Sequence, residues 1–135
     1  MAGVAVHVVS PEREVFAGQA DMVVARGVDG EVGILPGHAP MLVELAIAPV
    51  RLLEGTTERH KILVDGGFLH VTPGEGEEPT RVDVLAEHAA LPDEIDVAAA
   101  RTRADELRRR VEERGETGAQ AELSKALMRA EHGRR

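Results

Sequence analysis

The first half of the chain alternates apolar and polar residues with a period of two. In VAVHVVS, Val4, Val6 and Val8 fall on one face of an extended strand, and the residues between them fall on the other. The runs that follow cover residues 15–19, 22–25, 31–35, 41–48, 50–53, 60–64, 68–71 and 82–86. Turn-forming stretches such as Pro36-Gly37 and Asp65-Gly66-Gly67 separate them. Many short strands with frequent turns predict an antiparallel β-sandwich or barrel.

The last third of the chain changes to the period of a helix. One apolar stripe comprises Val97, Ala100, Ala104, Leu107 and Val111, and a second comprises Ala119, Leu123, Ala126, Leu127 and Ala130. Asp93 precedes the first stripe and is expected to cap its helix, while GETG at 115–118 separates the two. An alanine methyl contributes about 0.8 kcal/mol at most when it is buried. We therefore predict a helical hairpin whose stability depends on what it packs against.

Charge and composition argue against nucleic-acid binding. Residues 1–92 carry six basic and fourteen acidic side chains, a charge of −8, whereas residues 93–135 carry ten of each. A phosphate backbone requires a positive surface, and base stacking requires aromatic rings, of which the chain has only Phe16 and Phe68. No apolar run reaches the length of a membrane span, so we expect membrane association only through partner proteins.

The residues show no catalytic or metal-binding motif. The chain has no cysteine, its six histidines are scattered, and neither Ser10 nor Ser124 lies in a GxSxG turn. GxxxxGK[ST] and GxGxxG are both missing. Arg108-Arg109-Arg110 is, on spacing alone, typical of a solvated helix face. The pattern predicts a noncatalytic domain with no metal and no catalytic residue.

Four motifs follow one another along the chain: GEVGILPGHAPML, VDGGFLHV, VLAEHA and EIDVAAA. In this order and at these separations they resemble the epsilon subunit of the bacterial F-type ATP synthase. The resemblance runs from about Val4 to Ala130, and SPEREVFAG and ELSKAL fit the same family. It implies an α+β fold, with an N-terminal antiparallel β-sandwich of about ten strands in residues 1–90 and an antiparallel helical hairpin in residues 91–135.

The resemblance also implies a function. The sandwich would dock on the gamma subunit and on the polar loops of the c-ring, and so couple proton flow to ATP synthesis. The hairpin would inhibit ATP hydrolysis by extending along gamma toward the alpha and beta subunits. The protein would be a noncatalytic rotor subunit at the cytoplasmic face of the bacterial plasma membrane, peripheral to it.

Two groups of residues receive a docking role from the resemblance. The first lies at the end of the sandwich that would face the c-ring, where glycine and proline shape the turn and polar side chains offer contacts: Glu31, Pro36, Gly37 and His38. The second is a basic face on the hairpin that would reach an acidic loop of the catalytic subunits: Arg101, Arg103, Arg108, Arg109, Arg110 and Arg114.

One family feature is altered. Members that bind regulatory ATP carry Ile/Leu-Asp-x-x-Arg-Ala at the start of the first helix, whereas here Ala99 replaces the arginine. The remaining matches to that site are Ile95, Asp96, Lys125 and Arg129, with lysine at 125 in place of a frequent arginine. Because lysine does not reproduce the bidentate geometry of arginine, we expect weak or undetectable ATP binding and no cofactor.

Two other classes of function remain open at this point. One is a free-standing binding module whose sandwich holds a small ligand and whose helical tail dimerises. The other is a sandwich-fold hydrolase, which would need a clustered catalytic set that the sequence does not contain. Co-purification discriminates between the first class and the rotor subunit, because only the rotor subunit would bring gamma and the catalytic subunits with it.

Overall fold

The computed structural model describes residues 3–115 and 118–133, and the chain divides after Ala90 into two compact units. The described strands are β1 (Val4–Val9), β2 (Glu14–Ala20), β3 (Met22–Gly27), β4 (Gly30–Ile34), β5 (Met41–Glu54), β6 (Thr57–Thr72), β7 (Thr80–Ala86) and β8 (Ala89–Ala90). The second unit contains a short 3-10 helix (Pro92–Glu94), α1 (Val97–Arg114) and α2 (Ala119–His132). The predicted class, a β-sandwich followed by a helical hairpin, is confirmed.

The eight described strands form one hydrogen-bonded sheet in the order β2-β1-β7-β6-β5-β3-β4, and β8 pairs with β6. All the pairings are antiparallel except that of β1 with β7, which is parallel and sets Val4 opposite Thr80. The chain passes from one end of this order to the other between β2 and β3, where the N–H of Asp21 donates to the carbonyl oxygen of Leu53 in β5 at 2.8 Å. The sandwich is therefore a single folded sheet that includes one parallel pair.

The strand count is eight rather than about ten: two predicted breaks are absent, which reduces the nine predicted runs to seven strands, and β8 is added. Residues 41–54 run through Pro49, which has no partner in β3 because the register of that pair shifts between Val24 and Gly27. A proline is tolerated there because its missing N–H is not needed. Residues 57–72 likewise run through Gly66 and Gly67, so the turn predicted at Asp65-Gly66-Gly67 was wrong.

Glycine allows this continuity at the bend of β6. Gly66 and Gly67 have φ values of 93° and 122°, a region that side chains with a Cβ rarely adopt. A Cβ at Gly67 would also collide with the backbone of Leu85 in the neighbouring β7. The strand therefore bends without ending, and β6 and β7 stay in close contact.

The core of the first unit is aliphatic. Its fully buried members, which alternate along the strands with outward residues, include Val4, Val6, Val8, Val23, Ile34, Val50, Leu52, Ile62, Leu69, Val71, Val82 and Val84. Each such side chain contributes about 1.5–3 kcal/mol by leaving water. Phe68 does not take part, since 46% of it is exposed. Aliphatic packing therefore holds the sandwich, and its aromatic rings are left for other contacts.

The helical hairpin begins later than predicted. Asp96, not Asp93, caps α1: its Oδ1 accepts a 2.9 Å hydrogen bond from the N–H of Ala99. Glu94 instead serves the 3-10 helix, where its Oε1 accepts from the N–H of Leu91 at 2.8 Å. The 3-10 turn includes Asp93, so the N-cap of α1 is Asp96, whose backbone is in the β region.

The seam of the hairpin follows the predicted stripes with one exception. Ala104 and Leu107 of α1 pack with Ala119 and Ala126 of α2, and Val111 and Leu123 border this cluster. Leu127, assigned to the second stripe, is 38% exposed, whereas Met128 is buried. The assignment of Leu127 was wrong because 127 lies one position beyond Ala126, about 100° around the helix from it.

Candidate functional site

A tight turn follows β4 and carries three of the predicted docking residues. Pro36 and Gly37 are exposed and His38 is half-buried. The N–H of His38 donates to Leu35 O at 3.1 Å, and Gly37 adopts a φ of 88°. The N–H of Gly37 donates to the Thr80 hydroxyl at 2.7 Å, and Thr80 is buried in β7. The turn is therefore fixed to the core of the sandwich.

Glu31, the fourth predicted docking residue, lies in β4 and is exposed. Its carboxylate is 3.7 Å from the guanidinium of Arg51 in β5, which also approaches Glu58 in β6 at 3.9 Å. Exposed pairs of this kind contribute about 0.2–1 kcal/mol each. Glu31 can thus exchange its weak ion pair with Arg51 for a contact with a partner at little cost in free energy. It does not belong to the turn that contains His38.

A row of apolar side chains on the outward face of the sheet was not predicted. Phe68 in β6 is directly opposite Leu85 in β7, and Leu85 is directly opposite Val9 in β1. Leu42 in β5 pairs with His70, which sets it diagonally next to Phe68. Leu42, Phe68 and Leu85 are 67%, 46% and 56% exposed. Neighbours in such a row lie about 4.5–8 Å apart, so the four residues form one surface, the apolar stripe.

A signal for the apolar stripe exists in the sequence. Phe68 precedes the buried Leu69, and Leu85 lies between the buried Val84 and Ala86. A large apolar residue that is out of phase with the buried positions of its strand must point outward. Reading the phase of each strand would have marked Phe68 and Leu85 as outward, but only the register shows that they are neighbours.

A polar row borders the apolar stripe. His70, Asp83 and His7 lie side by side on β6, β7 and β1. Arg81 donates to both carboxylate oxygens of Asp83 at 2.9 and 3.0 Å, and this hydrogen bond, together with the charge of Asp83, raises the pKa of Arg81. The Nδ1 atom of His7 is 4.0 Å from Asp83 Oδ1. The outward face thus combines an apolar centre with a hydrogen-bonded polar edge, as interfaces do.

The basic face predicted on α1 is solvent-exposed and partly neutralised. Arg103 and Arg108 lie 3.7 Å from Glu106 and 4.0 Å from Asp105. Arg101, Arg109 and Arg110 are also exposed, while the side chain of Arg114 lies outside the described residues. Pairs at i,i+3 on a helix surface are weak, so these arginines can exchange partners at little cost.

The residues predicted for nucleotide lie in the second unit. Asp96 is engaged as the cap of α1, and Lys125 reaches its own helix neighbour Glu122 at 3.3 Å. A Cβ at Gly133, just after α2, would approach Ile95 within 2.8 Å, so the start of α1 and the end of α2 are adjacent. Arg129 lies in that last turn of α2. Ile95, Asp96 and Arg129 therefore meet at one end of the hairpin, while Lys125 lies one turn further along.

The described residues contain neither a metal-binding cluster nor a membrane-spanning helix. Within residues 3–115 and 118–133, no group of three or more His, Asp or Glu side chains could hold a metal ion. Over the same residues, no helix is both long enough and apolar enough to cross a bilayer.

Comparison with known proteins identifies the family. Residues 4–92 match the model of the β-sandwich domain of the ATP synthase delta/epsilon chain. The ATP synthase epsilon chain of Brevibacillus brevis is 42% identical over 84% of this chain and 82% of its own length. That of Thermobifida fusca is 47% identical over 71% and 68%.

A solved structure shares the fold. A chain in a structure of the Euglena gracilis mitochondrial ATP synthase, an assembly of OSCP, F1 and the c-ring, superposes with a TM-score of 0.74. The match covers 96% of this chain and 79% of that chain at 21% identity. Together, the β-sandwich model, the bacterial relatives and this fold show that the chain belongs to the epsilon chain family of the ATP synthase.

Proposed function

We propose that this chain is a noncatalytic central-stalk subunit of a bacterial F-type ATP synthase, which couples proton flow through the c-ring to ATP synthesis and restrains ATP hydrolysis. Family membership supports the assignment to the complex. The apolar stripe carries the argument for a docking role. The small-ligand module and the hydrolase have no such support, since every relative reported above is an ATP synthase chain.

The apolar stripe fits a permanent protein partner. Single exposed apolar residues are ordinary on a surface, whereas contiguous ones mark interaction sites. Phe68 is one of only two aromatic residues in the chain, and it lies beside Leu85 at the centre of the stripe. Large rings at the centre of a patch supply much of the binding energy of an interface. The partner we propose for this face is the gamma subunit.

The turn at residues 35–38 fits a second contact. It exposes Leu35 and Pro36 and is held in place by the hydrogen bond between Gly37 and Thr80. A preorganised turn loses little conformational entropy on binding. We assign this turn, together with Glu31, to the polar loops of the c-ring. The protein would then lie at the cytoplasmic face of the bacterial plasma membrane, attached through the complex.

The helical hairpin is the regulatory element of this proposal. Its alanine-rich seam provides little buried area, and its exposed arginines make weak pairs. An element of this kind can change partners when two arrangements differ by a few kcal/mol. The extended arrangement would bring the arginines to acidic side chains of the alpha and beta subunits and inhibit hydrolysis.

The experiment that tests the docking role measures binding of the chain to purified gamma subunit. Replacing Phe68 and Leu85 with serine should weaken binding at least about tenfold, because the centre of the apolar stripe is lost. Val28→Ser is the matched control, since Val28 is as exposed as Leu85, at 56%, but lies in the β3–β4 turn. Equal affinities of the double variant and the control would overturn the assignment.

A further inference from the structure

The last segment of the sandwich is attached to the bend of β6 by backbone hydrogen bonds and by a contact between Asp65 and His88. Asp65, at 5% exposure, is one of the buried polar residues of the described chain, and its Oδ2 lies 3.7 Å from Nδ1 of His88. The N–H of Asp65 donates to His88 O at 2.9 Å, and the N–H of Glu87 donates to Gly66 O at 3.3 Å. The side chain of His88 is half exposed. Backbone hydrogen bonds therefore hold Glu87 and His88 against β6, and the side chain of His88 adds a contact there.

The apolar contribution of this segment is small. β8 has only two residues, Ala89 and Ala90, which pair with Val64 and Leu63. Two alanine methyl groups bury little apolar surface compared with the larger core side chains. The carboxylate of Asp65, in contrast, is desolvated, and a desolvated charge is costly unless a partner compensates it. The contact between Asp65 and His88 is thus a side-chain contact that helps to hold residues 87–90 in place.

We propose that Asp65 and His88 form a latch, which holds residues 87–90 against β6 and whose opening lengthens the connection to the helical hairpin. Released residues extend by about 3.3 Å each, so four of them add about 13 Å of reach. The core strands β1, β5 and β7 do not include this segment, so the latch can open without dismantling the sandwich. A regulatory role for the latch rests on the proposed function, in which the hairpin changes partners.

Amide hydrogen exchange on the full chain tests the latch without the complex. His88→Ala should raise the exchange rates of the Asp65 amide and of residues 87–90 at least about fivefold, since local opening becomes easier. Asp65→Asn should act in the same direction. Glu87→Ala is the matched control, because it removes an exposed charge from the same segment. Rates in His88→Ala within a factor of two of those in the control would overturn the latch.

A disulfide tests the regulatory role in the assembled complex. Val64→Cys with Ala89→Cys places two cysteines on directly paired residues of a chain that has no other cysteine. If the latch must open for inhibition, the oxidised variant should hydrolyse ATP at the rate of a complex whose chain is truncated after Leu91. Reduction should restore inhibition.

The same experiment separates two failures. Equal inhibition in the oxidised and reduced forms, with hydrolysis still raised by truncation, would overturn the latch and leave the proposed function intact. If truncation itself changed nothing, the regulatory part of the proposed function would fall, and the hydrogen-exchange result alone would decide whether the latch exists.

Discussion

Gly37 and Thr80 are joined by a 2.7 Å hydrogen bond that spans 43 positions of sequence. The N–H of an exposed turn donates to a hydroxyl that is buried in β7, the strand that pairs with both β1 and β6. The geometry of the turn therefore depends on a side chain in the core. This contact fixes the surface that we assign to the c-ring.

Thr80→Val should lower the free energy of unfolding by about 0.5–1.5 kcal/mol, because the Gly37 N–H loses its acceptor while the volume of the side chain is kept. Thr80→Ser, which retains the hydroxyl, is the control, and its free energy of unfolding should fall less. Chemical denaturation of the isolated chain measures both. A valine variant as stable as the serine variant would contradict the role given to this bond.

Asp96→Ala should destabilise the helical hairpin by about 0.5–2 kcal/mol, since the Ala99 N–H loses its capping oxygen. Asp93→Ala is the control at the position that the sequence pattern favoured. Helix content followed by circular dichroism during thermal unfolding distinguishes the two. A greater loss of helix stability in the Asp93 variant than in the Asp96 variant would mean that Asp93 caps α1, as the sequence pattern predicted.

Substitution of Glu31 and His38 with leucine and phenylalanine should weaken the coupling of proton flow to ATP synthesis while the sandwich still folds. The bulky apolar groups would replace the polar contacts proposed for the c-ring. Proton pumping by membranes that carry the variant measures this. Glu58→Ala, which removes the other carboxylate near Arg51, serves as control. Pumping as strong as that of the control would refute the docking assignment.

The isolated chain should bind ATP weakly or undetectably when it is measured by calorimetry. The reason is that Ala99 lies where the family members that bind regulatory ATP carry arginine. Ala99 is exposed, and only its backbone N–H, which donates to Asp96 Oδ1, takes part in the cap of α1. Ala99→Arg can therefore be accommodated. It should tighten binding if Asp96 and Arg129 keep the family geometry. Ala98→Arg, one position away and also exposed, controls for charge alone. Micromolar affinity of the unmodified chain would refute the prediction.

Truncation after Leu91 should leave a sandwich that assembles and supports synthesis, while ATP hydrolysis by the complex rises. Replacing Arg108, Arg109 and Arg110 with alanine should act in the same direction but less, and high salt should reduce the difference. Several weak pairs, at about 0.2–1 kcal/mol each, suffice for a tenfold shift between two states. The triple lysine variant keeps the charge and is the control. Equal hydrolysis by intact and truncated complexes would remove the regulatory role.

The class of fold could be predicted because strand and helix periods differ. The number of strands could not, since whether Gly66-Gly67 ends a strand or bends it depends on how closely β7 approaches. The helix start was misplaced for a similar reason: Asp93 and Asp96 are both good caps, and the 3-10 turn that selects Asp96 is not visible in the pattern.

Of the two proposed docking surfaces, one could be predicted from the sequence and the other could not. The turn at Pro36, Gly37 and His38 could be predicted because glycine and proline mark turns, while its docking role stays a prediction. The apolar stripe was missed because its members lie on four different strands, and only the register brings Phe68 beside Leu85.

The parallel pairing of β1 with β7 has a consequence for synthesis of the chain. Val4 to Val9 leave the ribosome before the rest of the sandwich, yet their partners, Thr80 to Leu85, leave among the last of it. Until then β1 and β2 can form only a two-stranded hairpin, which is marginally stable in water and exposes a row of valines. At ordinary rates of translation this interval lasts several seconds. The nascent chain must therefore be kept from aggregating until β7 is made, so ribosomes stalled before residue 80 should present this hairpin to chaperones.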